Sequence, residues 1–480
     1  MKAGEHGAAV REEKHITADP LALSRFTPEL SAVTPVTGCQ KLVLFAAVIA
    51  ALAAFGYYPR GAALGFIAFS TLFYIVFSVY KLVLVRFSVK SGAQIEVKDE
   101  ELKRLDENSL PVYSILVPLF RESESVGNVV EAIEALDYPA AKKDVQLLLE
   151  EDDGATRSAV GNFALPEGFR ITVIPRSFPR TKPKACNIGL AEARGKYLVI
   201  YDAEDRPEND QLKKAVAAFS RVDRRVVCLQ SRLNFYNPRQ NLFTRWFAAE
   251  YSAWFDFSLP GLSAVNSVIP LGGTSNHFIT SALRKMMGWD AYNVTEDCDL
   301  GIRIYRRGYR SKMLNTTTWE EACSKGGLWI RQRTRWLKGY IQTYLVHMRR
   351  PGRLLGDLGW KNFLHFQALI GGIVFSFLIN PVFWFMALLW FFLRLEALTA
   401  LFPGPVFAGG AVCLFAGNFV FVYICACACY KRKLYDLIKY AVLTPVYWVL
   451  MSYSGWRALI HFAIKPFTWE KTRHGLFHEK

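Results

Sequence analysis

The sequence predicts an α/β domain with a mainly parallel, Rossmann-like sheet, bracketed by an α-helical transmembrane bundle. Three observations carry this. The chain is 52% hydrophobic yet 21% charged, with a mean hydropathy of +0.14, too apolar for a soluble domain and too charged for a membrane bundle alone. Apolar runs of spanning length lie at both ends, at Leu42–Tyr58, Ala62–Val85, Phe363–Leu393, Val406–Tyr430 and Leu437–Ile464. Between them, short apolar runs alternate with helical stretches, the pattern of parallel strands joined by crossover helices.

Residues 1–36 are polar, carry several Pro and Thr, and read as a disordered cytoplasmic tail. Residues 37–90 read as a transmembrane hairpin. Lys14, Arg25 and Lys41 precede its first run and Lys81, Arg86 and Lys90 close its second, whereas the connecting turn offers only Arg60, so both ends face the cytoplasm. Residues 91–345 form the α/β domain. Residues 346–464 hold an amphipathic interfacial stretch, within "LKGYIQTYLVHMRRPGRLLGDLGWKNFLHF", and the remaining membrane segments. Pro445 interrupts the last run, which also carries Lys439, Arg457 and His461; a simple span there would put Lys465, Lys471 and Arg473 outside, so the expected count is five or six crossings. Residues 465–480 read as a second cytoplasmic tail.

Within the domain, "VYSILVPL", "VQLLL", "RITVIP", "KYLVIYD" and "VVCLQSR" are the strands, with helices near Ser125–Ala135 and Lys184–Arg194. Ligands of such sheets bind outside the carboxyl ends of the strands. Glu150, Glu151, Asp152 and Asp153 follow the second strand, and Asp202, Glu204 and Asp205 follow "KYLVIY". Acidic clusters gathered on one edge repel one another; a divalent cation or a network of sugar hydroxyls offsets that repulsion. An all-oxygen set suits Mg2+ or Mn2+ bridging to a diphosphate, and no GxxxxGK[ST] phosphate loop is present. "NVTEDCDLGIRIYRRGYR" reads as a helix capped by Thr295, with Glu296 and Asp297 in its first turn and its end at Gly308; Asp297 there can serve as a general base.

The net charge of +16 fits basic flanks of membrane segments and a site for an anionic ligand, and no nucleic-acid partner is expected. The nine cysteines show no metal-ligand spacing. The apolar runs show neither inverted repeats nor deep acidic residues, which argues against a transporter.

Taken in order, "EDDG", "DAED", "TED" and "QRTRW", with apolar runs on both sides, resemble the membrane-embedded, inverting family 2 glycosyltransferases, the group of cellulose, chitin, hyaluronan and poly-N-acetylglucosamine synthases. The resemblance implies a GT-A fold and a UDP-sugar donor. It places Asp152 and Asp153 at the base and ribose, Lys184 near the uridine or diphosphate, and Asp202 with Glu204 or Asp205 at a Mg2+ or Mn2+ ion. It makes Asp297 the base for the acceptor hydroxyl, positioned by Glu296, and puts Gly273 and Thr274 of "LGGTSNHF" beneath the acceptor. Gln332, Arg335 and Trp336 of "QxxRW" close the acceptor end, with Arg335 compensating diphosphate charge and Trp336 facing a sugar ring; Arg331 and Arg333 are assigned to solvent or lipid. The implied activity is extension and export of a β-linked exopolysaccharide by a multi-pass enzyme of the inner (plasma) membrane with its catalytic domain in the cytoplasm. Transfer of one sugar to a lipid acceptor is the alternative, and the sequence identifies no partner subunit.

Overall fold

The computed structural model describes residues 19–90, 92–394 and 400–470. Two apolar helices come first, α1 (Gly38–Tyr57) and α2 (Pro59–Ser88). The sheet then begins with β1 (Tyr113–Leu119), β2 (Lys143–Glu150), β3 (Phe169–Ile174), β4 (Tyr197–Ile200) and β5 (Arg206–Pro207), and ends with β6 (Val226–Phe235), β7 (Asn276–Ile279) and β8 (Arg310–Glu320). Its order is β3-β2-β1-β4-β7-β6-β8-β5. Strands β1 to β4 are mutually parallel; β1, β2 and β4 are buried on both faces, as their largely apolar sequences suit, and the edge strand β3 leaves Ile171 and Val173 exposed.

β7 runs antiparallel to both β4 and β6, and β8 runs parallel to β6. Two reversals restore direction, so β8 ends on the same edge as β2 and β4. One apolar core lies on each face of the sheet. A third, rich in aromatics, joins the domain to the membrane helices through Phe235, Trp246, Trp329, Ile424 and Tyr447.

Three further helices matter for the site: α3 (Lys182–Glu192), α4 (Glu296–Arg306) and α5 (Gly326–His347), the last carrying "QRTRW". Beyond them lie α6 (Pro351–Leu393), α7 (Gly404–Lys431) and α8 (Thr444–Ile464). Among the described residues, α1, α2, α6 and α7 are the four helices long and apolar enough to cross a membrane, against the five or six crossings expected. The interruption at Pro445 takes the form of a helix start, since Pro is accepted in a first turn whose amide needs no partner; α8 then packs on α5 and α6. The interfacial stretch is divided, with its first part inside α5 and a kink at Gly359, whose φ of +71° favours a residue without Cβ.

The amino-terminal tail differs from expectation. Residues 1–18 lie outside the described residues, but 19–36 are ordered against the domain. Asp290 accepts from the Ser31 hydroxyl at 2.8 Å and the Ala32 amide at 2.6 Å, and Arg349 donates to the Pro28 and Ser31 carbonyls. Buried partners for its backbone let a polar, Pro-rich segment order without a core of its own. At the other end, residues 465–470 lie along α5, with Lys338 donating to the Thr468 carbonyl at 2.7 Å and Gln342 to Pro466 at 2.9 Å; residues 471–480 are outside the described set.

Candidate active site

A single cavity of about 540 Å³ opens at the carboxyl edge of the sheet and continues between the membrane helices. Asp202, Glu204, Gly273, Thr274, Glu296, Asp297, Gln332, Arg335 and Trp336 all line it. The structure therefore brings together most of the residues that the sequence singles out, from segments far apart in the chain.

Glu296 and Asp297 occupy the first turn of α4, where the helix end favours negative charge. The side chain of Thr295 does not cap this helix; its hydroxyl turns to Asn293 at 3.4 Å. The Asp297 carboxylate accepts from the Cys298 amide at 2.7 Å. Burial raises the Asp297 carboxyl, while that amide, Lys182 and Arg335 oppose the rise. Burial and the neighbouring Asp297 push Glu296 up to about 8. The two carboxyls are therefore coupled, and burial beside Asp297 makes Glu296 the one that holds its proton more tightly.

The acidic edge is larger than the sequence suggests. Glu320, at the end of β8, lines the same cavity, and its carboxyl is pushed well up by burial and by Asp205, Glu204 and Asp202. Sequence reasoning missed it, because only the pairing of β8 with β6 carries it to that edge. Burial, Asp202 and Glu122 likewise push Glu204 well up. Asp205 does not line the cavity: it is 2% exposed, accepts from the Asp202 amide at 2.7 Å and meets the Thr274 hydroxyl. Asp205 thus fastens the turn, while Asp202 and Glu204 face the space.

Among the described residues, no three acidic, His or Cys side chains converge as a ready metal-ligand set. The chemistry of the edge nevertheless fits a hard divalent ion: the donors are all carboxylate oxygens, and beyond burial Asp202 raises both Glu204 and Glu320.

Lys184 does not take the position expected of it. Lys184 is fully buried, and its ammonium holds the loop after β3 through the carbonyls of Pro175 at 3.2 Å and Ser177 at 3.0 Å. Lys182, one half-turn earlier, reaches the cavity instead, where it pairs with Asp202 and donates to the Gly273 carbonyl at 2.8 Å. The helical spacing of the two lysines was the available signal, since residues two apart face different sides. Asp152 and Asp153 do not line the cavity either. Asp152 pairs with Arg180 at 2.6 Å, and Arg180 does line it; Asp153 caps the following helix and accepts from the Arg121 amide.

At the membrane end, Arg335 has a buried Nε with no acceptor and lies 4.6 Å over the ring of Trp469. Oε1 of Gln332 is also without a partner. Arg333 departs from the expectation of solvent or lipid: it is buried, pairs with Glu250, bonds Tyr447 at 2.9 Å and lies against the rings of Phe247 and Trp336. It and Tyr251 hold the Trp336 indole in place.

Such an edge, a paired acid at a helix start and a guanidinium whose Nε has no acceptor, describes a site for transfer from an anionic, activated donor. Residues 197–427 match the family model described as glycosyl transferase family group 2. The probable glycosyltransferase YdaM of Bacillus subtilis is 26% identical over 318 residues, 64% of this chain and 76% of that one. Beta-monoglucosyldiacylglycerol synthase of Synechocystis is 26% identical over 256 residues, 52% of each chain. Cellulose synthase 2 of Novacetimonas hansenii is 27% identical over 289 residues, 58% of this chain and 17% of that one. Among solved structures, a mannosyltransferase from Pyrobaculum calidifontis in complex with GDP-Man and Mn2+ shares the fold, at 20% identity and a TM-score of 0.50, over 83% of this chain and 98% of that one. Residues 197–427 thus carry a family 2 glycosyltransferase match within a GT-A-like domain, in a chain with apolar helices of membrane-spanning length.

Proposed function

We propose that this enzyme moves a hexose from a UDP-sugar, with inversion, to an acceptor that occupies the membrane end of the cavity. The observation that supports this most directly is that one cavity contains both the strand-end carboxylates and the interior of the helix bundle. The acceptor we put first is the end of a growing β-linked exopolysaccharide, which would leave between the helices along an aromatic lining that includes Trp254, Trp384 and Trp448. Transfer to a lipid acceptor is the second reading, favoured by Lys81, a cation in the membrane part of the cavity. The name of one relative, a synthase of a glucosylated diacylglycerol, is consistent with it.

In this mechanism Asp297 accepts the proton of the acceptor hydroxyl as its oxygen attacks the anomeric carbon in line, and the nucleoside diphosphate leaves from the opposite face. Neutral Glu296 keeps a second negative charge away from the attacking oxygen. Arg335 offers its unpartnered Nε to the leaving diphosphate. A Mg2+ or Mn2+ ion, held by Asp202 and Glu204, would supply further neutralisation of that leaving group. Trp336 and Trp469 close the cavity against water. Asp152 and Arg180 at the rim are placed for the base and ribose, and Gly273 and Thr274 form the floor under the reacting sugar.

Four crossing helices return the chain to the side on which it started, so the domain and both tails share one side of the membrane, which the basic flanks make the cytoplasm of a plasma-membrane enzyme. The test incubates membranes containing the protein with Mn2+ or Mg2+ and labelled UDP-sugars, then separates products by size and by extraction into organic solvent. High-molecular-weight label supports the polymer, label confined to the organic phase supports the lipid, and no transfer from any UDP-sugar refutes the donor.

A further inference from the structure

Five cationic side chains line the cavity: Lys81, Arg180, Lys182, Arg333 and Arg335. Three are neutralised in place, Arg180 by Asp152, Lys182 by Asp202 and Arg333 by Glu250. Arg335 lies beside Glu296 and Asp297 and is the group proposed above for the leaving diphosphate. Lys81 alone has no place in the transfer chemistry. Among the described residues its ammonium makes no hydrogen bond or ion pair and touches only the rings of Phe77 at 4.5 Å and Phe421 at 4.8 Å.

Its position makes this unusual. Lys81 belongs to the spanning helix α2, which ends at Ser88, so at 1.5 Å per residue its Cα is about 10 Å inside the helix end. Leu84, one turn further on, packs in the domain core, so Lys81 stands where the helix bundle meets the domain; an ammonium held there against two rings without a counter-charge is costly, and the ring contacts offset only part of the cost. It faces the cavity, where the lining from four membrane elements is largely aromatic and apolar, with Ser78, Asn380 and Asn418 as scattered polar groups. A neutral glycan would leave the ammonium without a counter-charge. A free inorganic anion has no apolar part to fill that lining. An amphiphile supplies both the charge and the apolar part.

We infer that Lys81 is the anchor of an acceptor subsite that binds the phosphate of an amphipathic lipid, with the tail among the membrane helices and a headgroup hydroxyl reaching Asp297. This rests on the hexosyl-transfer reading above and names its acceptor class. The hydroxyl oxygen bonds to the anomeric carbon as that carbon's bond to the donor diphosphate breaks. The hydroxyl proton goes to Asp297, and the bonding pair leaves with the diphosphate. The lipid phosphate takes no part in bond making and serves only to hold the acceptor.

The test uses the full chain in discs of neutral phosphatidylcholine, with wild type, Lys81→Met and Lys81→Arg compared. Decyl phosphate, decanol and inorganic phosphate are the probes, read by quenching of tryptophan fluorescence, and UDP-sugar binding is titrated in parallel. The inference expects decyl phosphate to bind wild type and Lys81→Arg alike and Lys81→Met about tenfold more weakly or worse, with decanol indifferent to the substitution. Equal binding of decyl phosphate to Lys81→Met overturns it. So does inorganic phosphate competing as well as decyl phosphate, which would make the ligand a soluble anion, and so does a failure of Lys81→Arg to restore binding, which would make the lysine structural. Absence of UDP-sugar binding by wild type would sink the transfer reading while leaving the phosphate result to stand alone.

Discussion

Replacing Glu296 by Gln separates two roles that adjacent carboxylates in one helix turn could share. Burial and Asp297 push Glu296 from its ordinary value, about 4.5, to about 8. At about 1.4 kcal/mol per pH unit, ionising it costs on the order of 5 kcal/mol in the folded protein. A carboxyl raised on folding binds its proton more tightly in the folded state, so its contribution to stability is intact below about pH 4.5 and is lost as the pH rises through about 8. Wild type should therefore lose thermal stability between about pH 4.5 and pH 8, and Glu296→Gln, which has no proton to lose, should flatten that fall. At pH 7 Glu296 is already protonated, so the amide should leave kcat within about threefold, whereas a true base replaced by its amide loses about a hundredfold or more. Nucleotide release from saturating donor, followed from about pH 4.5 to 9.5 alongside melting curves, measures both. A loss at pH 7 as large as that of Asp297→Asn would refute the assignment, because it would make Glu296 the ionised base.

Other perturbations follow from the same geometry. A Cβ at Gly339 would fall 2.3 Å from Oγ1 of Thr295, the residue that begins the Asp297 helix; Gly339→Ala should cost about 1–3 kcal/mol in chemical denaturation and lower kcat more than it raises the donor KM. Arg333→Met strands Glu250 and frees Trp336, so it should destabilise the protein by on the order of 3 kcal/mol, seen as a lower Tm. Chelation of divalent ions should abolish turnover, with Mn2+ or Mg2+ restoring it. Glu204→Gln should then raise the metal concentration for half-maximal activity, and Asp205→Asn should mainly lower Tm, since Asp205 holds the turn and not the open space.

The strands and the acidic ends of β2 and β4 are legible because local patterns encode them: apolar runs with β-branched residues make buried strands, and the acids directly follow. The helix of Asp297 is legible for the same reason, with Gly308 at φ +79° just past its end. What escaped depends on contacts between distant segments. Glu320 belongs to the site only because β8 pairs with β6. Lys182 and not Lys184 faces the cavity because the rotation of α3 about its axis is set by packing. Residues 19–36 look unstructured because their hydrogen-bond partners, Asp290 and Arg349, lie more than 250 positions away. Lys81 counts in the sequence as one of the basic residues that close a membrane helix, and only the packing of α2 against its neighbours turns it into the cavity.

The central claim is that Asp297 is the base in transfer from a UDP-sugar, and the most direct measurement compares wild type with Asp297→Asn for turnover and donor binding in the same membranes. The account predicts a fall in kcat of about a hundredfold or more with the donor dissociation constant essentially unchanged. Turnover that survives in Asp297→Asn, or a loss explained entirely by weaker donor binding, would contradict it.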